Sequence, residues 1–160
     1  MNTTIKLAIS VAVPLAVGGL SGFATAGGVS TWYPTLVKPA FNPPAWIFGP
    51  VWTVLYVMIA WAGVIIWRAG PEPLPLLFWG AQWVFNAAWS WLFFGKRRMD
   101  WAFIDVSLLW LAVAGFIASA WPVSPLASLL FVPYLAWVTT AAALNRTVWR
   151  LNPAEARGGA

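Results

Sequence analysis

Gln82, Asn86, Trp89 and Phe93 recur at i, i+4, i+7 and i+11, the spacing of one helical face. They sit inside an apolar run, where an amide is costly unless something within a helix bundle satisfies it, so each is a site candidate. Two more faces carry similar chemistry. Trp52 and Tyr56 are i, i+4 neighbours, and Trp137, Ala141 and Leu144 share a stripe just after Pro133 and Tyr134. A small residue between an indole and a branched side chain leaves room for something to enter. If the three faces converge, they enclose an aromatic slot with one or two hydrogen-bonding amides. Few polar anchors in an apolar wall is the make-up of a pocket for a flat apolar ligand. The alternative is structural, with the rings packing helix on helix and the amides bonded between helices for cohesion alone.

Other chemistry is poorly supplied. The chain has no cysteine and no histidine, which removes thiol catalysis, disulfides, thiolate metal sites and the usual general base. Its only acids are Glu72, Asp100, Asp105 and Glu155. Ordinary hydrolytic, metal-dependent or acid–base catalysis has little to work with, and no metal or permanently bound cofactor is implied. Asp105 is either a buried carboxylate paired with Lys or Arg, or a residue near a helix start at the interface; its closeness to Asp100 favours the second. The net charge of +5 does not point to nucleic acid, because the cations are clustered. Lys96, Arg97 and Arg98 share one short break, and Arg146, Arg150 and Arg157 lie near the C-terminus, as topology signals and lipid-headgroup contacts do.

The elements that must position these faces are membrane helices. The chain is 61% hydrophobic and 8% charged, far too few charges for a solvated surface. Five apolar runs of about twenty residues can be drawn, at approximately 5–26, 45–67, 74–94, 101–121 and 126–149. They predict an all-α, multi-pass integral membrane protein, a five-transmembrane-helix bundle forming one domain over residues 1–160. Segment 27–44 holds Pro34, Pro39, Pro43 and Pro44 and cannot be one regular helix. Trp32, Tyr33, Leu36 and Phe41 make it too apolar for a floppy loop, so it reads as an ordered lid over one end of the bundle.

The first run, with Lys6 ahead of it and Ala24-Thr25-Ala26 near its end, also has the outline of a signal peptide. Its length, Pro14 and Gly18-Gly19 favour a retained, packed helix. Lys38, Lys96, Arg97, Arg98, Arg146, Arg150 and Arg157 fall on one side of the five spans and only Lys6 and Arg68 on the other. The positive-inside bias therefore predicts a cytoplasmic C-terminus. Of the fourteen tryptophans, Trp32, Trp67, Trp101, Trp121 and Trp149 fall near helix ends, where an interfacial belt is the default. Gly80, Ala81, Ala87 and Ala88 could permit close backbone approach within the bundle or between protomers.

Taken together, several segments resemble a known family. They are Trp32-Tyr33 with Leu36, Lys38-Pro39 and Asn42-Pro43-Pro44; Trp46, Trp52 and Leu55-Tyr56; Gln82, Asn86, Trp89 and Phe93-Phe94-Gly95; and Pro133-Tyr134-Leu135, Trp137 and Leu144-Asn145. In this order and spacing the chain resembles the tryptophan-rich sensory protein and translocator protein (TspO/MBR) family, also called the peripheral-type benzodiazepine receptor family. The resemblance implies a five-helix membrane bundle, usually a homodimer, with a cavity beneath the first loop. It implies binding of porphyrins such as protoporphyrin IX, of sterols in animal members, and of isoquinoline carboxamide and benzodiazepine drugs. Carried across motif by motif, the pocket uses Trp52, Tyr56, Asn86, Trp89, Trp137, Ala141 and Leu144. Rings would stack on the macrocycle and Asn86 would supply a hydrogen bond. Trp52 and Trp137 look like the pair tied to light-dependent porphyrin breakdown in some bacterial members. The resemblance thus implies porphyrin sensing, movement or disposal, with a light- and oxygen-dependent degrading enzyme as the alternative.

Two departures stand out. Leu144-Asn145 is followed by Arg146 where the animal sterol motif has an aromatic residue and then a basic one, which argues against high-affinity cholesterol recognition. Ala40-Phe41 stands where family members often have tryptophan before Asn-Pro-Pro, which loosens the expected contact between lid and ligand.

Overall fold

The computed structural model describes residues 3–70 and 72–155 and consists of five helices and the turns between them. They are α1 (Thr3–Gly27), α2 (Ala45–Ala69), α3 (Pro73–Ser90), α4 (Met99–Ala120) and α5 (Pro125–Leu151). Among the described residues no strand forms. Arg157 and the side chain of Lys6, both counted above in the charge balance, lie outside the described residues.

Local chemistry explains the boundaries. Prolines stand at helix starts, where the missing N–H would have no partner: Pro44 precedes α2, Pro73 and Pro75 open α3, and Pro125 opens α5. Ser124 caps α5 by accepting a hydrogen bond from the Ala127 N–H at 3.4 Å. Gly70, with φ of 147°, ends α2 in a conformation that side chains resist. Arg98 grips Asp100 through two contacts of 2.9 and 2.6 Å and so braces the first turn of α4.

The segment expected as a lid is more helical than its prolines suggest. Gly28–Trp32 continues α1 as a wide π turn, and Tyr33–Thr35 tightens into a 3₁₀ turn. Only from Leu36 does the chain become extended, because Pro39, Pro43 and Pro44 cannot donate to a helix. A second π turn, Trp91–Gly95, ends α3. Wide turns of this kind are frequent at functional sites, and these two meet: a Cβ on Gly28 would collide with the Phe94 carbonyl.

Helix α4 packs most extensively, against α3 on one side and α5 on the other, while α2 lies on α5 and α1 on α2 and α3. Ile59, Ile66, Val106, Val113, Phe116, Phe131 and Tyr134 form the centre, with the rings of Phe116 and Phe131 stacked 3.8 Å apart. A smaller cluster of Trp32, Leu36, Phe93, Met99, Ala102 and Val148 ties the lid to the bundle. The outer surface is apolar, with Leu15, Phe23, Val57, Trp61 and Leu111 all exposed. That inversion is expected where lipid is the solvent. By length and composition the run from α1 into the lid, α2, α4 and α5 can each cross a membrane. Helix α3 carries Gln82 and Asn86, and both amides are buried. The molecule is an all-α membrane bundle.

Not every tryptophan near a helix end belongs to an interfacial belt. Trp101 and Trp121 are exposed, as the belt requires. Trp32 is buried and donates its indole N–H to Glu155 Oε2 at 3.2 Å. Trp149 leans on Phe103, 6.2 Å between rings, and Trp67 on Trp79 at 5.8 Å. Asp105 is buried nearly two turns inside α4, with no ion pair among the described residues and no hydrogen bond to Oδ2.

The contact between the two π turns yields a prediction. Gly28→Ala forces a methyl group against a backbone carbonyl and should cost about 1–3 kcal/mol of stability. Gly19→Ala, where an added Cβ meets nothing within 4 Å, should cost nothing measurable. Thermal unfolding of the two variants side by side checks this; equal midpoints would contradict it.

Candidate functional site

Beneath the lid lies a cavity of about 610 Å³. Helix α2 contributes Phe48, Trp52 and Tyr56, α3 contributes Trp89, and α5 contributes Trp137, Thr140, Ala141 and Leu144. Helix α1 closes one side with Gly18, Ser21, Gly22 and Thr25, and the lid closes the top with Tyr33, Pro34, Lys38, Asn42 and Pro43. Phe93 and Phe94 reach in from the second π turn. The volume falls within the ~300–1,000 Å³ of small-molecule pockets.

The rings form a continuous wall. Trp52 meets Tyr56 at 5.4 Å and Trp137 edge-on at 6.4 Å, and Phe48 braces Trp137 at 5.6 Å. Trp89 is held by its indole N–H, which donates to Asn145 Oδ1 at 3.1 Å, while Asn145 Nδ2 donates to the Met99 carbonyl at 2.8 Å. Gly18 admits Tyr56, since a Cβ there would lie 2.7 Å from the phenol ring. Lys38 is the cation of this lining. It is half-buried, donates to the Leu36 carbonyl at 3.1 Å and lies 4.8 Å above the Tyr33 ring.

Of the residues expected from the sequence, Trp52, Tyr56, Trp89, Trp137, Ala141 and Leu144 all line this one cavity. Asn86 does not. It lies behind the wall, and both ends of its amide are occupied: Tyr56 Oη donates to Oδ1 at 3.1 Å, and Nδ2 donates to Tyr134 Oη at 3.0 Å. The relay continues from Tyr134 Oη to Gln82 Oε1 at 3.0 Å and from Gln82 Nε2 to the Trp79 carbonyl at 3.1 Å. The amides of Asn86 and Gln82 thus join helices through this relay, and Asn86 is not part of the cavity lining. Polar side chains of the cavity wall include Ser21, Thr25, Lys38, Asn42, Ser90, Thr140 and Asn145, beside the hydroxyls of Tyr33 and Tyr56. Those on α1 had a legible signal: Gly18, Ser21, Gly22, Thr25 and Val29 form a small and polar stripe at helical spacing. Phe48 had none, lying in an unbroken apolar run.

Comparison with known sequences agrees with this architecture. The model of the TspO/MBR family matches residues 10–150. The chain belongs to the TspO/MBR family. It is 41% identical to the translocator protein of Sus scrofa over 153 residues, covering 92% of this chain and 89% of that one. It is 38% identical to the tryptophan-rich protein TspO of Chlorobaculum tepidum over 158 residues, covering 96% and 100%. It is also 38% identical to protein CrtK of Rhodobacter capsulatus over 147 residues, covering 89% and 91%. The family match takes in every helix that contributes to the cavity. In this TspO/MBR chain the relay forms a back wall that holds Tyr56 against the hollow.

Tyr134 is the node of that relay, both accepting and donating. Tyr134→Phe strands the Asn86 amide and the Gln82 carbonyl away from water, so stability should fall by about 1–3 kcal/mol. Val132→Ala, at an exposed position on the same helix, is the matched control. Thermal unfolding in detergent reads the difference, and a Tyr134→Phe protein as stable as wild type would remove the relay's structural role.

Proposed function

We propose that this membrane protein binds flat, largely apolar ligands of the porphyrin class, protoporphyrin IX first among them, in the cavity beneath the lid. Its role would be in tetrapyrrole sensing, movement or disposal. The observation that carries the proposal is that Trp52 and Trp137, set at right angles to each other, both line a hollow of about 610 Å³. A macrocycle entering there gains apolar burial, with ~0.5–1.5 kcal/mol more for each well-oriented ring pair. Lys38 at the top supports a ligand with an acidic edge, which a porphyrin bearing carboxylates has and a sterol lacks. Arg146 points away from the hollow, exposed above Phe103, so the sterol departure noted in the sequence stands outside the site. Isoquinoline carboxamide drugs would compete for the same walls.

Titrating the purified protein with protoporphyrin IX while following tryptophan fluorescence tests this reading. Saturable quenching is expected. Trp52→Ala and Trp137→Ala should each weaken binding about five- to thirtyfold, the equivalent of ~1–2 kcal/mol. Trp101→Ala, on the exposed surface, should leave it unchanged. Equal effects at all three positions would refute the site.

The edge-on meeting of Trp52 and Trp137 at the cavity wall also favours a second reading, an enzyme that degrades bound porphyrin with light and dioxygen. Dioxygen would be the oxidant and the photoexcited ligand would exchange an electron with an adjacent indole, so no acid–base residue is required. Under illumination the porphyrin absorption should bleach more slowly in Trp52→Phe and Trp137→Phe proteins; unchanged bleaching rules this reading out.

Two further elements belong to the same proposal. The outward face of α3, with Leu77 and Val84 exposed and open space at Gly80, suits close approach of a second copy in a homodimer. The clustered cations favour a cytoplasmic C-terminus. A thiol introduced as Gly80→Cys in this otherwise cysteine-free chain should cross-link copies in native membranes, whereas a monomer-only pattern would argue against the dimer. A cytoplasm-dependent reporter fused after residue 160 should be active; activity only of an externally dependent reporter would reverse the orientation.

A further inference from the structure

Helix α5 stops at Leu151 because Pro153 cannot continue it and restricts the residue before it. Asn152 is thereby left as the C-terminal cap, its N–H still donating to the Val148 carbonyl at 3.1 Å and its side chain turned toward the lid. There the amide grips a single residue twice. Its Oδ1 accepts from the Val37 N–H at 2.9 Å, and its Nδ2 donates to the Val37 carbonyl at 2.9 Å. The same nitrogen donates to the Val148 carbonyl at 2.8 Å, so the side chain is anchored to its own helix while it holds the lid. Three residues on, Glu155 accepts the indole N–H of Trp32.

The hydrogen bonds inside the lid keep its shape without fastening it. Tyr33 Oη donates to Asn42 Oδ1 at 2.9 Å, and Lys38 donates to the Leu36 and Pro34 carbonyls. Among the described residues, the hydrogen bonds joining segment 28–44 to anything beyond the two helices it connects all land on Asn152 and Glu155, just past the end of α5. Val37 stands between Leu36, buried against the bundle, and Lys38, which lines the cavity. Whatever moves Val37 moves the mouth of the site.

We propose that Asn152, seconded by Glu155, is a latch that holds the lid shut and so sets how fast a ligand enters and leaves. The proposal rests on the ligand reading above and adds a positioning residue that never touches the ligand, since Asn152 is not part of the cavity wall. Releasing Val37 exchanges its two bonds to Asn152 for bonds to water, which can satisfy both groups, while Trp32 and Leu36 stay packed on the bundle. The exchange is therefore affordable, unlike breaking the relay at the cavity's back wall.

The test uses the full chain in lipid nanodiscs with protoporphyrin IX, mixed rapidly and followed by tryptophan fluorescence. In Asn152→Ala, association and dissociation should both accelerate about tenfold while Kd stays within about twofold, because a latch changes access and not the bound state. Asn152→Asp keeps an acceptor for the Val37 N–H but has no donor for its carbonyl, and should fall between. Unchanged rates, or a weaker Kd from faster dissociation alone, would overturn the latch. Hydrogen exchange of the ligand-free proteins reads the lid independently: amides of 36–42 should exchange faster in Asn152→Ala, with those of α3 and α4 unchanged. If they do not, the latch fails even though the fold survives. If wild-type protein shows no saturable binding, the ligand reading fails, and lid exchange alone decides whether Asn152 fastens the segment.

Discussion

A buried polar group in a bilayer must find its partner inside the protein, and the relay from Tyr56 through Asn86, Tyr134 and Gln82 to the Trp79 carbonyl is how this chain meets that constraint. Every donor in it points the same way along the chain of bonds, an arrangement in which each bond polarises the next. It joins α2, α3 and α5 and runs along nearly two turns of α3, and the position of Tyr56 follows from it. With Tyr56 placed, Trp52 rests on it and Trp137 rests on Trp52 and Phe48, and all four rings line the cavity. The hollow is thus a consequence of satisfied amides behind it, not of loose packing.

The same logic separates two kinds of tryptophan. Trp79 and Trp83 are buried in the core, and the Trp79 indole N–H donates to the Ile59 carbonyl at 2.9 Å. Gly63 makes room for that ring, since a Cβ there would lie 2.6 Å from it. These rings hold helices together. Trp52, Trp89 and Trp137 instead present surface to the cavity, and the closure above them is made by a lid whose own prolines prevent it from becoming a further helix. Rigid walls and a separable top suit a site that must take in and give up a bulky ligand.

Helix existence and the convergence of three faces were legible in the sequence because both rest on periodicity, which the bilayer enforces strongly. Trp52, Tyr56, Trp89, Trp137, Ala141 and Leu144 were found that way and meet as expected. Asn86 sat on the right face but looks outward from the site, because spacing places a side chain on a stripe without saying which neighbour claims its hydrogen bonds. The burial of Trp32 and of Asp105 was hidden for a related reason. Distance from a helix end along the chain does not reveal that a π turn carries Trp32 under the C-terminal segment, or that Asp105 faces inward. The grip of Asn152 on Val37, 115 residues away, leaves no local trace at all.

The central claim is that the cavity indoles receive the ligand and the others do not. Nitrogen-15 spectra of the indole N–H groups in the presence and absence of protoporphyrin IX test it most directly. Ring-current shifts are expected at Trp52, Trp89 and Trp137, with Trp61 and Trp101 unmoved. Shifts confined to Trp61, Trp101 and the other outward rings would mean that porphyrin only coats the lipid-facing surface, and would contradict the account.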